Sequence, residues 1–140
     1  MSVLLARRAQ AGAALLLALA TALAALAVHA LKSRLAPDSL GILHTALQYL
    51  FFQALGVLAL GSAAAAAASP ASGAGPIRAL GAALYLILVG CVLFSGSLIA
   101  LALGAPRGLG VLTPLGGVCL IVGWTMAAVS LWRQARQAVP

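Results

Sequence analysis

The sequence predicts an all-α membrane protein, a four-transmembrane-helix up-down bundle in a single domain spanning residues 1–140. Three observations point there. The chain is 64% hydrophobic and only 6% charged, with mean hydropathy +1.17, whereas soluble domains are about 45–50% apolar and about 25% charged. Its apolar residues collect into four runs, each meeting the roughly 20 helical residues needed to cross about 30 Å of hydrocarbon. The breaks between the runs carry prolines and most of the charged residues. Disorder is excluded by the same composition, since it needs low hydrophobicity and high charge. A barrel would show alternation over about ten residues per strand, which is absent.

The spans fall at about Ala9–Leu31, Leu40–Ala68, Ile77–Leu103 and Val111–Trp132. Lys32 to Ser39 forms the first break, with Asp38 or Ser39 placed to cap the second helix. The second span ends in the alanine run Ser62 to Ser69. Alanine favours helix but supplies little apolar area, so this end either packs tightly on a neighbour or frays. Ser69 to Pro76 is a loop by composition, and Gly104-Ala105-Pro106-Arg107-Gly108 is a tight turn. Thr113 is placed to cap the fourth helix, with Pro114 in its first turn, where the missing N–H is harmless. Arg133 to Pro140 is a short polar tail. Loops this short force neighbouring helices to run antiparallel. A cleavable signal peptide is the alternative for the first span, but its apolar core exceeds the usual 7–15 residues.

Eight basic residues face one acid, Asp38, for a net charge of +7. In a soluble protein this would suggest nucleic acid. Here the basic residues sit at the ends of apolar runs, as at membrane boundaries, so no nucleic-acid partner is expected and membrane lipids are. Arg7, Arg8, Arg78, Arg133 and Arg136 fall on one side, and Lys32, Arg34 and Arg107 on the other. The positive-inside rule then places both termini in the cytoplasm. Cys91 and Cys119 lie within apolar runs and read as small hydrophobes. Their spacing fits neither a zinc site nor a redox pair.

Polar groups inside a membrane are costly and therefore functional candidates. No carboxylate is among them, which weakens proton-coupled transport. His29 and His44 fall near one membrane face on adjacent helices, where two imidazoles could ligate haem or a metal. The bland alternative is a pair of interfacial histidines. Gln48 and Gln53, flanking Tyr49, are expected to make interhelical hydrogen bonds. Tyr49 needs a partner for its hydroxyl. Phe94-Ser95-Gly96-Ser97 offers small residues and serines that can bond to the preceding turn. Gly116, Gly117 and Gly123 suggest a close crossing of the fourth helix against the Ser95–Ser97 face of the third. Trp124 is mid-span, and Trp132 is an interfacial anchor.

Several elements occur together in order. They are His29-Ala30-Leu31-Lys32, Thr45 with Gln48-Tyr49, Leu93-Phe94-Ser95-Gly96-Ser97-Leu98, and Leu112-Thr113-Pro114-Leu115-Gly116-Gly117 with Gly123-Trp124. From about Ala24 to Trp132 this resembles the YgdD-like family of small bacterial inner-membrane proteins, domain of unknown function 423, with animal relatives called transmembrane protein 256. The resemblance implies four membrane helices, an inner-membrane location and no established activity. It also speaks against signal cleavage. Where the family has a histidine a few residues after the helix-two tyrosine, this chain has Gln53. His44 lies nine residues away, about two and a half turns, and is a poor substitute, so a site using that histidine is not expected.

The expected function is that of an integral inner-membrane protein of unknown molecular role, a structural or accessory component that forms a homo-oligomer or joins a larger membrane complex. It has no catalytic set, and no cofactor or metal site is expected. Two alternatives stand beside it. One is a small transporter or channel-like protein with a cavity lined by Gln48, Gln53, Ser95, Ser97 and Thr113. The other is a haem-binding redox subunit using His29 and His44.

Overall fold

Four long helices form, and in this computed structural model residues 2–66 and 74–137 are described. They are α1 (Ser2–Leu26), α2 (Pro37–Ala66), α3 (Ala74–Ala102) and α4 (Leu112–Gln137). All four are long and apolar enough to cross a membrane. A π-helical turn, Ala27–Leu31, extends α1, and a 3-10 turn, Arg107–Val111, leads into α4. The helices outrun the hydropathic spans. α1 begins at Ser2, so Arg7 and Arg8 are exposed on its first turns. Hydropathy marks where lipid begins, whereas a helix continues wherever its backbone bonds can be made.

Two expected caps are replaced. Pro37 opens α2 and Asp38 falls in its first turn, with Leu40 N–H bonding Ala36 O at 3.0 Å. Proline suits that first position, and an acid there favours the positive end of the helix dipole. Thr113 is not the N-cap of α4. It lies inside the helix, because the 3-10 turn feeds directly into it and Leu112 N–H already bonds Leu109 O. Pro114 does fall in the first turn of α4. The break after α3 turns on Gly104, whose φ of +95° strains any side-chain-bearing residue. The expected loop from Ser69 lies partly outside the described residues, and α3 already begins at Ala74, before its end.

The helices alternate in direction. Gly12 of α1 stands against Leu88 of α3, and Gly81 of α3 against Leu5 of α1, so both positions advance together and α1 runs parallel to α3. Residue size, rather than polarity, picks out the packed faces. Along α1 and into the π-helical turn, Ala6, Ala13, Ala20 and Ala27 recur every seven residues and are at most 2% exposed. In α2, Leu43, Leu47, Leu50, Ala54, Val57, Gly61 and Ala64 alternate steps of four and three and are all buried. A seven-residue repeat keeps one seam on its partner in a left-handed supercoil. Leu80, Leu84, Ile87 and Cys91 supply the facing side of α3.

The alanine run at the end of α2 is described only at its start, where the helix packs on α1, and residues 67–69 lie outside the described residues. Ala64 is buried, and the Gln10 amide of α1 donates to Leu58 O at 3.1 Å and to Ser62 Oγ at 2.8 Å. The Gln10 side chain lies across Gly61, where a Cβ would stand 3.0 Å from its Cδ. α3 is the central helix and packs on α1, α2 and α4. Among the described residues, α4 makes no close backbone approach to α1 or α2.

Candidate functional site

The sequence-predicted polar and small residues resolve into a seam along α3 and α4, extended to α2 by two aromatic side chains. Along the seam, positions 97, 94, 90 and 87 of α3 descend as 113, 116, 120 and 123 of α4 ascend, an antiparallel register. At one end Ser97 Oγ donates to Phe94 O at 2.9 Å and lies 2.7 Å from Thr113 Oγ1. The serine proton is committed to the carbonyl, so Thr113 donates to Ser97. The next contact is backbone on backbone. A Cβ at Gly116 would stand 2.8 Å from Phe94 Cα and still closer to Phe94 N. Further along, Leu120 covers Gly90, and a Cβ at Gly123 would stand 2.7 Å from Ile87 Cγ1. Small residues permit this approach, and in lipid, close packing rather than water exclusion drives helix association.

A double-mutant cycle on Ser97→Ala and Thr113→Val is expected to give a coupling of about 0.6–1.7 kcal/mol, the range for interhelical hydrogen bonds in a bilayer. Detergent unfolding of the four proteins measures it, and additive losses would remove the bond from the seam.

The gap between α2 and α4 is bridged by side chains. Trp124 Nε1 donates to Gln53 Oε1, so Gln53 does make the expected interhelical bond. The indole then lies over Gly56, where a Cβ would stand 2.7 Å from Trp124 Cζ2. Near the other end Tyr49 and Phe94 pack with centroids 4.9 Å apart and planes tilted by 42°. Gly117 lies 3.8 Å from the Phe94 ring by its would-be Cβ.

Other candidates do not join the seam. Of the expected Ser95–Ser97 face only Ser97 turns to α4. Gly96 is exposed with open space around it. Ser95 is 1% exposed, its Oγ without a hydrogen-bond partner. Successive helical residues turn by about 100°, so three neighbours cannot share one face. Pro114 is exposed, and so are Gln48, His44 and His29, the last within the π turn. The hydroxyl of Tyr49, a residue 44% exposed, has no partner among the described residues. No three His, Cys, Asp or Glu side chains converge among the described residues. Cys91 and Cys119 are free thiols.

Trp132 is 65% exposed, with the Arg136 guanidinium carbon 5.5 Å from its ring centroid. An open cleft of about 350 Å³ runs beside them, lined by Ala128, Val129, Trp132, Arg133 and Arg136. Sequence reading passed over Gln10 and the pairing of Gln53 with Trp124. A glutamine eight residues into α1 was the available signal for the first. Nothing local signalled the second, whose partners are 71 residues apart.

The chain is similar to known membrane proteins. The profile of a protein family of unknown function, DUF423, matches residues 23–117. The UPF0382 membrane protein YwdK of Bacillus subtilis (strain 168) is 38% identical over 112 residues, covering 80% of this chain and 85% of its own. The UPF0382 inner membrane protein YgdD of Escherichia coli (strain K12) is 35% identical over 118 residues, covering 84% of each. A Staphylococcus saprophyticus UPF0382 membrane protein is 33% identical over 109 residues, 78% of this chain and 83% of its own. No solved structure matches the chain. With a profile covering more than half of the chain and relatives aligned over most of their length, this chain is an integral membrane protein and belongs to the DUF423 family, whose molecular function is unknown.

Proposed function

We propose that the protein is a non-catalytic structural or accessory component of the bacterial inner membrane, acting through association with lipids, with itself or with a larger membrane complex. One observation carries this reading. Three polar side-chain contacts hold helices together: Gln10 on α2, Thr113 on Ser97, and Trp124 on Gln53. A transport path would need such groups turned toward a common space. Here Gln53 is closed by an indole, Ser97 and Thr113 close on each other, and Gln48 points outward. The inner-membrane assignment follows the E. coli relative, an inner membrane protein by name.

Both termini are assigned to the cytoplasm. Arg7, Arg8, Arg78, Arg133 and Arg136 belong to the end of the bundle that holds the termini. Lys32, Arg34 and Arg107, with the single acid Asp38, belong to the other. Mild-detergent affinity purification, with identification of co-purifying proteins, lipids and pigments, tests the role. Defined membrane partners or lipids are the expected result. A strictly monomeric chain that retains nothing would remove the association, and a Soret band would replace the reading with the haem one. A carboxy-terminal reporter active outside the cytoplasm would reverse the orientation.

A further inference from the structure

α2 spans Pro37–Ala66, and Gln48 lies within one turn of the midpoint of its membrane-crossing stretch, Pro37–Ala64. That places its amide deep in hydrocarbon. The residue is exposed, and none of the side-chain hydrogen bonds among the described residues includes it. The other deep glutamine, Gln53, is bonded to Trp124. An unpaired amide facing lipid is costly, because the bilayer core offers it no water. Gln48 is not alone on its face. Gly41, His44, Thr45, Phe52 and Leu55 are also exposed at helical spacing on α2. Thr45 is satisfied by Gly41 O at 3.0 Å, and Gly41 has open space around it.

We propose that this face of α2 pairs with the same face of a second copy of the chain, with the two Gln48 amides hydrogen-bonded to each other across a two-fold axis. The inference names the partner within the accessory reading above and rests on it for the claim that the protein works by association. Three features select a second copy over a foreign chain. A carboxamide carries both donors and an acceptor, so two of them satisfy each other without a complementary partner. Two copies inserted in the same orientation hold residue 48 at the same depth, so the amides meet without any adjustment of tilt. The face bears no Asp, Glu, Lys or Arg that would call for an opposite charge. A two-fold interface of this kind is self-complementary by symmetry.

Oxidative cross-linking in reconstituted bilayers tests the pairing on the full chain, with Cys91→Ala and Cys119→Ala removing the native thiols. A cysteine introduced as Phe52→Cys reports on the proposed face, and Val118→Cys on the exposed outer side of α4. Phe52→Cys is expected to form disulfide-linked dimers that persist as lipid is added, with Val118→Cys lagging well behind. Adding Gln48→Leu is expected to lower the Phe52→Cys dimer yield at least roughly threefold, the change that losing one interhelical amide bond produces in lipid. Gln48→Asn is expected to retain it in part. Unchanged Trp124 emission in each variant, read with Trp132→Phe in the background so that one indole reports, verifies that the bundle is intact. Equal cross-linking at positions 52 and 118, or a yield indifferent to Gln48→Leu, overturns the proposal. So does cross-linking in native membranes to a foreign chain alone. A foreign-chain cross-link overturns the self-pairing while supporting association, and the other results leave co-purification of lipids or proteins to its own measurement, so the broader reading fails or survives separately.

Discussion

Gly116→Leu is expected to destabilise the bundle by about 3 kcal/mol or more, at or above the upper end of the usual overpacking cost. The site leaves no room to relax. A Cβ there meets the Phe94 amide nitrogen, Phe94 Cα and the Leu93 carbonyl carbon, all backbone of α3. A side chain could be displaced, but α3 cannot move without releasing α1 and α2 as well. Gly116→Ala should lose about 1–2 kcal/mol on the same grounds. Gly96→Leu is the internal comparison, since nothing lies within 4 Å of its would-be Cβ. It is expected to stay within about 0.5 kcal/mol of the parent, as exposed substitutions do. Unfolding in mixed micelles, followed by tryptophan emission, separates the two. Equal effects at 96 and 116 would mean that the α3–α4 contact is not where stability resides.

Trp124→Ala is expected to cost about 3–5 kcal/mol, the range for deleting a large packed aromatic. The indole fills the space between α2 and α4, whose backbones do not otherwise approach. Its loss leaves a void beside Gly56 and a Gln53 amide oxygen without a donor. Trp124→Phe should keep much of the packing yet still cost about 1–3 kcal/mol through the orphaned amide. Adding Gln53→Leu to Trp124→Phe is expected to recover part of that loss, because removing both polar partners is milder than removing one. Trp132→Ala, at an exposed position, serves as the comparison and should be nearly neutral. Chemical unfolding of the four variants measures the series. If Gln53→Leu instead worsens Trp124→Phe, the indole hydrogen bond is not what Gln53 contributes.

The spans were readable because crossing a bilayer imposes length and composition on each helix separately. The glycine stripe of α4 was readable for the same kind of reason, since small residues at positions 116 and 123 mark one face of one helix. The rotation of each helix against its neighbours was not. In a soluble bundle the buried face is apolar and the outer face polar, so the pattern states which way a helix turns. In lipid both faces are apolar, and the buried one differs mainly in carrying smaller residues. Ser95 and Ser97 therefore read as one face, although Ser95 is sealed without a hydrogen-bond partner and only Ser97 meets Thr113. Gln48 and Gln53 read as equivalent, although one bonds Trp124 and the other faces outward. Thr113 read as a cap because the sequence rule assumes an abrupt helix start, and the 3-10 turn before it supplies a gradual one.

The position of α3 at the centre bears on the order in which the chain can assemble during synthesis. α1, α2 and α3 each pack on the other two and leave the ribosome first. α4 arrives last, and its Gly116–Gly123 stripe matches a track of α3 that does not depend on α1. The contacts among α1, α2 and α3 need no residue of α4, whereas the packing of Trp124 over Gly56 needs the whole chain. The hydrogen bonds of Ser97 to Thr113 and of Gln53 to Trp124 are among those that only the last helix can complete.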